Sequence, residues 1–242
     1  MLTVGQEGHI LELLLMGRRL TLPLFVSTLV ATWYGGIFGV TQIAFEKGLY
    51  NFLTQGVFWY IAYLIFAFFI VDRIASYKAM TLPDLVCKLF GPKSSRLSAL
   101  FNFFNVLPIA YVISLGLFLK ALFGGPMILM MGLGLLVVIL YSLWGGLRAV
   151  VFSDLVQFVV MCSSVALILF FSIGHYGGLG FLLKNLPKDH FSLMGGESFG
   201  VTLVWGFIAL STLVDPNFYQ RCFAAASPKV AKKGILISTC VW

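Results

Sequence analysis

Six nearly uncharged stretches, each about as long as a bilayer is thick, constrain this chain more than any motif does. They fall at about 21–46, 52–71, 98–122, 127–143, 150–174 and 199–214. Crossing the hydrocarbon core takes about 20 apolar residues at 1.5 Å per residue in a helix. Between the runs lie short segments that hold almost all the charge. Only 10% of the 242 residues are charged, against about 25% in a soluble domain. The expected product is an all-α polytopic membrane protein in a single transmembrane domain spanning residues 1–242, with the lipid bilayer as its first partner.

The formal charge is +7, which by itself invites a nucleic-acid partner. The distribution argues against one, because the basic residues sit between apolar runs and lack interleaved aromatics. Positive-inside topology accounts for them instead. With the start of the first run inside, the cytoplasmic set is Arg18, Arg19, Arg73, Lys78, Lys88, Lys93, Arg96, Arg148, Arg221, Lys229, Lys232 and Lys233. Lys47, Lys120, Lys184 and Lys188 remain outside, a ratio of twelve to four. The expected setting is multi-pass, in the cell (inner) membrane. No cleavable leader is read in residues 1–20, where polar and apolar residues mix without a small-residue cleavage site.

One carboxylate falls well inside an apolar run. In YSLWGGLRAVVFSDLVQ (141–157), Gly145 and Gly146 stop the preceding helix, because paired glycines lose too much backbone entropy to continue it. Asp154 then enters a run that continues to Ile173. A carboxylate at the centre of a membrane helix costs about 3 kcal/mol or more. Two readings stand: Asp154 faces protein, water or an ion, or it reaches back to headgroups and Arg148.

The first run is unusual, since ATWYGGIFG (31–39) places three glycines in its middle. Either the glycines serve close packing, or Gly35 and Gly36 break the helix and free carbonyls to line a cavity. Other local signals mark helix ends. Thr81 with Pro83, Asp215 with Pro216, and Ser227 with Pro228 have the form of an N-cap followed by proline in the first turn. Gly91-Pro92 ends the short helix that Thr81 opens. The segment 175–198 is the longest polar stretch and is expected as an external loop with a partly buried helix. A last apolar run stops eight residues after Gly234, so a fragment or truncated reading frame is expected.

An integral-membrane enzyme needs a catalytic cluster. His9, His175 and His190 are isolated in loops, and there is no HExxH, GxSxG or pair of acids on one helix face. No enzymatic activity is expected. Cys87, Cys162, Cys222 and Cys240 lack metal-ligand spacing and are expected as free thiols.

The stretch YSLWGGLRA followed by VVFSDLVQ resembles the signature of the sodium:solute symporter family leading into its fifth core helix. Three weaker matches follow the same order and spacing: GRRL before the first core helix, TLPDLVCKLFG after the second, and DPNFYQRCFAAAS after the sixth. Together they cover nearly the whole chain but about half of a usual family member.

The resemblance implies a LeuT-type fold of two inverted five-helix repeats. This chain would hold the first repeat, the sixth core helix, and a truncated seventh from about 230. It implies sodium-coupled symport of a small organic solute, with sodium as a co-transported ion and not a tightly held cofactor. Family members bind that ion with carbonyls of the broken first helix, here those of Ala31 and Tyr34, and with hydroxyls on an eighth helix that these residues do not include. A second chain carrying the missing helices is one expected partner. Asp154 matches the family's acid near the sodium site, where Asp154→Asn is expected to weaken sodium dependence and leave folding intact. The positions after the break are Ile37 and Phe38, both apolar, which speaks against a sugar. Trp33, Thr41 and Gln42 either face the solute pocket or pack. The competing reading is a remnant or regulatory membrane protein that does not itself transport.

Overall fold

The computed structural model describes residues 4–33 and 37–242. Among them there are helices, turns and one isolated parallel bridge, and no strand. In chain order the helices are α1 (Val4–Leu15), α2 (Leu22–Trp33), α3 (Ile37–Lys47), α4 (Phe52–Ala75), α5 (Leu82–Phe90) and α6 (Pro92–Asn105). They continue with α7 (Ile109–Phe123), α8 (Met127–Tyr176), α9 (Leu179–Asn185), α10 (Phe199–Ala209), α11 (Pro216–Ala224) and α12 (Pro228–Val241). Among the described residues, four helical stretches are long and apolar enough to cross a membrane: Phe52–Ala75, Pro92–Phe123, Met127–Tyr176 and Phe199–Ala224. The chain is an all-helical polytopic membrane protein.

Short polar side chains set the helix starts. Thr81 accepts from the Asp84 N–H at 3.2 Å, Asp215 from Asn217 at 2.8 Å, and Ser227 from Val230 at 3.3 Å. Each satisfies a first-turn donor that has no partner within its own helix. Gly91, at φ 85°, separates α5 from α6. The third apolar run is not one helix. Pro108 cannot donate, and α6 stops at Asn105 before α7 resumes at Ile109. The polar segment also departs from expectation: α9 buries no residue, so it is an exposed helix and not a partly buried one.

Helix α2 lies at the centre of the packing, between α8 and α12, with α4 closing on α12. Phe25 and Leu29 of α2, Tyr63 and Phe66 of α4, Phe218 of α11 and Ile235 of α12 are buried together. The Tyr63 and Phe218 rings stack at 5.1 Å, and Phe66 meets Tyr219 edge-on at 5.2 Å. Lipid tails are as apolar as leucine, so helices in a bilayer gain mainly from close contact. Gly234 provides that contact, because a Cβ there would run into the Phe25 ring.

The fifty-residue helix α8 is two helices joined at Gly146, whose φ 55° and ψ −151° are non-helical. The kink turns α8 onto α1: a Cβ on Gly146 would lie 2.5 Å from the Leu13 carbonyl oxygen. The paired-glycine stop read from the sequence is therefore a sharp bend, made by the second glycine.

Backbone pairing fastens one end of the bundle. The Leu20 N–H donates to the Ala224 carbonyl and the Ala226 N–H to the Leu20 carbonyl, both at 3.0 Å. Arg18 donates to the carbonyls of Phe223 at 3.2 Å, Lys78 at 2.8 Å and Ala79 at 3.1 Å. Burial pulls its guanidinium below the ordinary arginine value, an effect that the Asp84 carboxylate opposes.

Elsewhere the 188–197 segment docks on the end of α3. The Leu49 N–H donates to the His190 carbonyl at 2.8 Å, and Lys47 pairs with Glu197 at 2.8 Å. The Glu197 hydrogen bond and charge raise Lys47 above the ordinary lysine value. The pair's contribution is therefore complete below the unfolded lysine value and is lost as pH rises through the raised folded one. In an NMR titration of ε-carbon-labelled lysine, Lys47 is expected to titrate at higher pH in the native chain than in a Glu197→Gln variant. Coincident curves would show that the two side chains do not communicate.

Candidate functional site

Thr28 and Thr32 stand four residues apart on α2, so their hydroxyls share one face. That face meets Asp154, in the half of α8 beyond the Gly146 bend, and Arg221 of α11. Arg221 is 4% exposed and Asp154 9%. A buried ion needs both an opposite charge and hydrogen bonds to offset its lost hydration, and here it has both. Arg221 Nη2 lies 3.6 Å from Asp154 Oδ2.

The hydroxyls complete the cluster. Thr28 donates to Asp154 Oδ2 and accepts from Arg221 Nε at 3.3 Å. Thr32 accepts from Arg221 Nη2 and donates to the Thr28 carbonyl at 2.7 Å. Arg221 Nη1 reaches the Asn217 carbonyl at 3.3 Å. Each hydroxyl thus gives one proton and receives one, which fixes its orientation.

The charge count places Arg221 on the cytoplasmic side; the structure adds that it is buried against Asp154 and two threonines and does not face water. Asp154 does not depend on Arg148, which is exposed. The pairing also changes the expectation for Asp154→Asn, because loss of the carboxylate leaves a buried guanidinium without its counter-charge. Thr28, Thr32 and Arg221 were missed as site residues. Two threonines four apart on an apolar helix were the available signal for the first pair.

Of the expected sodium ligands, Ala31 is 6% exposed on α2, beside Thr32. Tyr34 lies outside the described residues, as do the break glycines Gly35 and Gly36 and the side chains of Trp33, Ile37 and Phe38. Thr41 and Gln42 are exposed on α3 and do not join the Asp154 cluster; Gln42 Nε2 donates to Glu46 at 2.9 Å. Cys87, Cys162, Cys222 and Cys240 are free thiols. Next to the cluster, on the far side of Thr32, a cavity of about 230 Å³ opens between α2, α4, α7 and the start of α11.

The sequence pattern of the sodium:solute symporter family matches residues 14–242. The chain belongs to this family. Among its relatives is a sodium/glucose cotransporter of Vibrio parahaemolyticus, 26% identical over 181 residues, which are 65% of this chain and 33% of the relative. Another is the osmoregulated proline transporter OpuE of Bacillus subtilis (strain 168), 32% identical over 158 residues, 59% of this chain and 31% of the relative. The matched part of the chain thus spans about a third of each of these two family members. Both carry transporter names and neither an enzyme name. No solved structure gives a significant match.

Proposed function

We propose that the protein carrying this chain is a sodium-coupled symporter, moving a small organic solute across the cell (inner) membrane. Its fold is a LeuT-type pair of inverted repeats. These residues contribute the first repeat, the sixth core helix and the start of a seventh, and the remaining helices come from elsewhere. The twelve-residue basic set lies on the cytoplasmic side.

The observation that carries this reading, beyond family membership, is the buried Asp154–Thr28–Arg221–Thr32 cluster on α2, where Ala31 precedes Thr32 in the chain. The cluster fixes the face of α2 that leads to the proposed carbonyl ligands, and Asp154 offsets there the positive charge of Arg221. Sodium is a cargo here, held by the Ala31 and Tyr34 carbonyls and by hydroxyls outside these 242 residues. Asp154 does not touch the ion. It holds Thr28 in place and, with Arg221, sets the local charge.

The test is uptake into vesicles with and without an inward sodium gradient, in a full-length protein that includes this chain. The double variant Asp154→Asn/Arg221→Met removes both buried charges together, so the fold is retained while the local field is lost. Sodium dependence is expected to weaken at least tenfold at normal protein levels in the membrane. Unchanged sodium dependence would reduce the cluster to a helix fastener.

A further inference from the structure

A second cavity, of about 470 Å³, lies at the fastened end of the bundle, and none of Asp154, Thr28, Thr32 and Arg221 lines it. Its apolar wall is Val71, Ile74 and Ala75 from the end of α4, Phe223 of α11 and Ala231 of α12. Phe52–Ala75 and Phe199–Ala224 are both of membrane-crossing length. The cavity where both of them end therefore stands at the level of the lipid headgroups.

The charged lining is Arg18 and Lys78, and no acidic residue is part of it. Arg18 donates to three carbonyls, which satisfy N–H groups without cancelling the charge. Lys78 takes part in none of the ion pairs among the described residues. The neighbouring acids are already paired: Asp84, which acts on Arg18, with Lys88 at 3.1 Å, and Asp72 with Lys232 at 3.2 Å. The first turn of α12, opening at Pro228 on the cavity wall, adds partial positive charge. A cation pair above an apolar wall suits an amphiphile better than a free anion, which would leave that wall against water. Basic pockets among helices at a cytoplasmic face take anionic lipid headgroups in this way.

We propose that this cavity holds an anionic phospholipid, its phosphate against Arg18 and Lys78 and its glycerol and first acyl carbons on Val71, Ile74 and Ala75. The site is separate from the Asp154 cluster and does not depend on transport.

The test is native mass spectrometry of the 242-residue chain released from micelles that contain equal amounts of phosphatidylglycerol and phosphatidylcholine. Both lipids carry a phosphate, but choline cancels its charge in the second. The chain is expected to retain phosphatidylglycerol at least tenfold over phosphatidylcholine. Lys78→Gln should lower that preference about fivefold, the worth of one basic side chain at a membrane surface. Its side chain is exposed, and the backbone carbonyl that accepts from Arg18 and Lys88 is kept. Lys93→Gln, at an exposed lysine of the same basic set, should leave the preference unchanged. Ala75→Phe fills the apolar part of the cavity and keeps both cations; it should lower phosphatidylglycerol retention at least fivefold. Inorganic phosphate and glycerol 3-phosphate, soluble sources of the same group, should not displace the lipid. Equal retention of the two lipids, equal effects of Lys78→Gln and Lys93→Gln, no effect of Ala75→Phe, or displacement by the soluble phosphates overturns the inference. None of these readouts involves flux, so the transport reading stands or falls separately.

Discussion

Replacing Arg221 by methionine is expected to destabilise the chain by about 3–5 kcal/mol, the range found when one partner of a buried ion pair is removed. The side chain is 4% exposed and touches Asp154, Thr28, Thr32 and the Asn217 carbonyl. Methionine fills similar space but leaves the Asp154 carboxylate with Thr28 as its donor. The double variant Asp154→Asn/Arg221→Met is expected to recover most of the loss, because no unpaired charge remains and Thr28 can still donate to the asparagine oxygen. Chemical unfolding in detergent, run as a double-mutant cycle, reads both effects. A single variant within about 0.5 kcal/mol of the parent, the usual size of surface effects, would mean that the pair is hydrated and not buried.

Gly146→Ala is the second large effect. At φ 55° and ψ −151° the backbone sits close to a region that is essentially reserved for glycine, where a side chain costs about 1–3 kcal/mol. The added Cβ also meets the Leu13 carbonyl oxygen at 2.5 Å and the Leu13 Cα at 3.1 Å. Backbone atoms cannot rotate away, so overpacking adds about 1–3 kcal/mol. The expected total is about 2–6 kcal/mol, with α1 lifting from α8 and becoming open to protease. Gly132→Ala is the control: it lies on the same helix with nothing within 4 Å of an added Cβ. It should be neutral or slightly stabilising. Equal midpoints for the two variants would show that α1 does not pack on the bend.

The features legible in the sequence were those governed by near neighbours. Thr81, Asp215 and Ser227 announced their helices because a cap is made within three residues. The all-helical membrane character followed from run length and the scarcity of charge. Gly145-Gly146 announced a stop, but the direction of the bend depends on Leu13, which no local pattern names. The partners of Arg221 were not legible for the same reason. A positive-inside count treats an arginine by the polar residues around it, whereas its burial is decided by Asp154 and two threonines from distant helices. The carboxylate was found because its cost in an apolar run is local; its counter-charge was not, because attraction across helices leaves no trace in spacing.

The fastening at Leu20 has a mechanical consequence. Paired backbone bonds to Ala224 and Ala226, with Arg18 gripping three carbonyls, hold α2 at its first residues. Toward Thr32 it meets α7 through the 3.3 Å Tyr111 bond, and there Thr28 and Thr32 also tie it to Asp154 and Arg221. Displacement of α2 against α7 therefore swings from a pivot, with an arm of about 15 Å from Leu22 to Thr32 at 1.5 Å per residue. A tilt of about 10° over that arm carries the Thr32 carbonyl about 2.5 Å, enough to part it from the Tyr111 hydroxyl while the pivot barely moves.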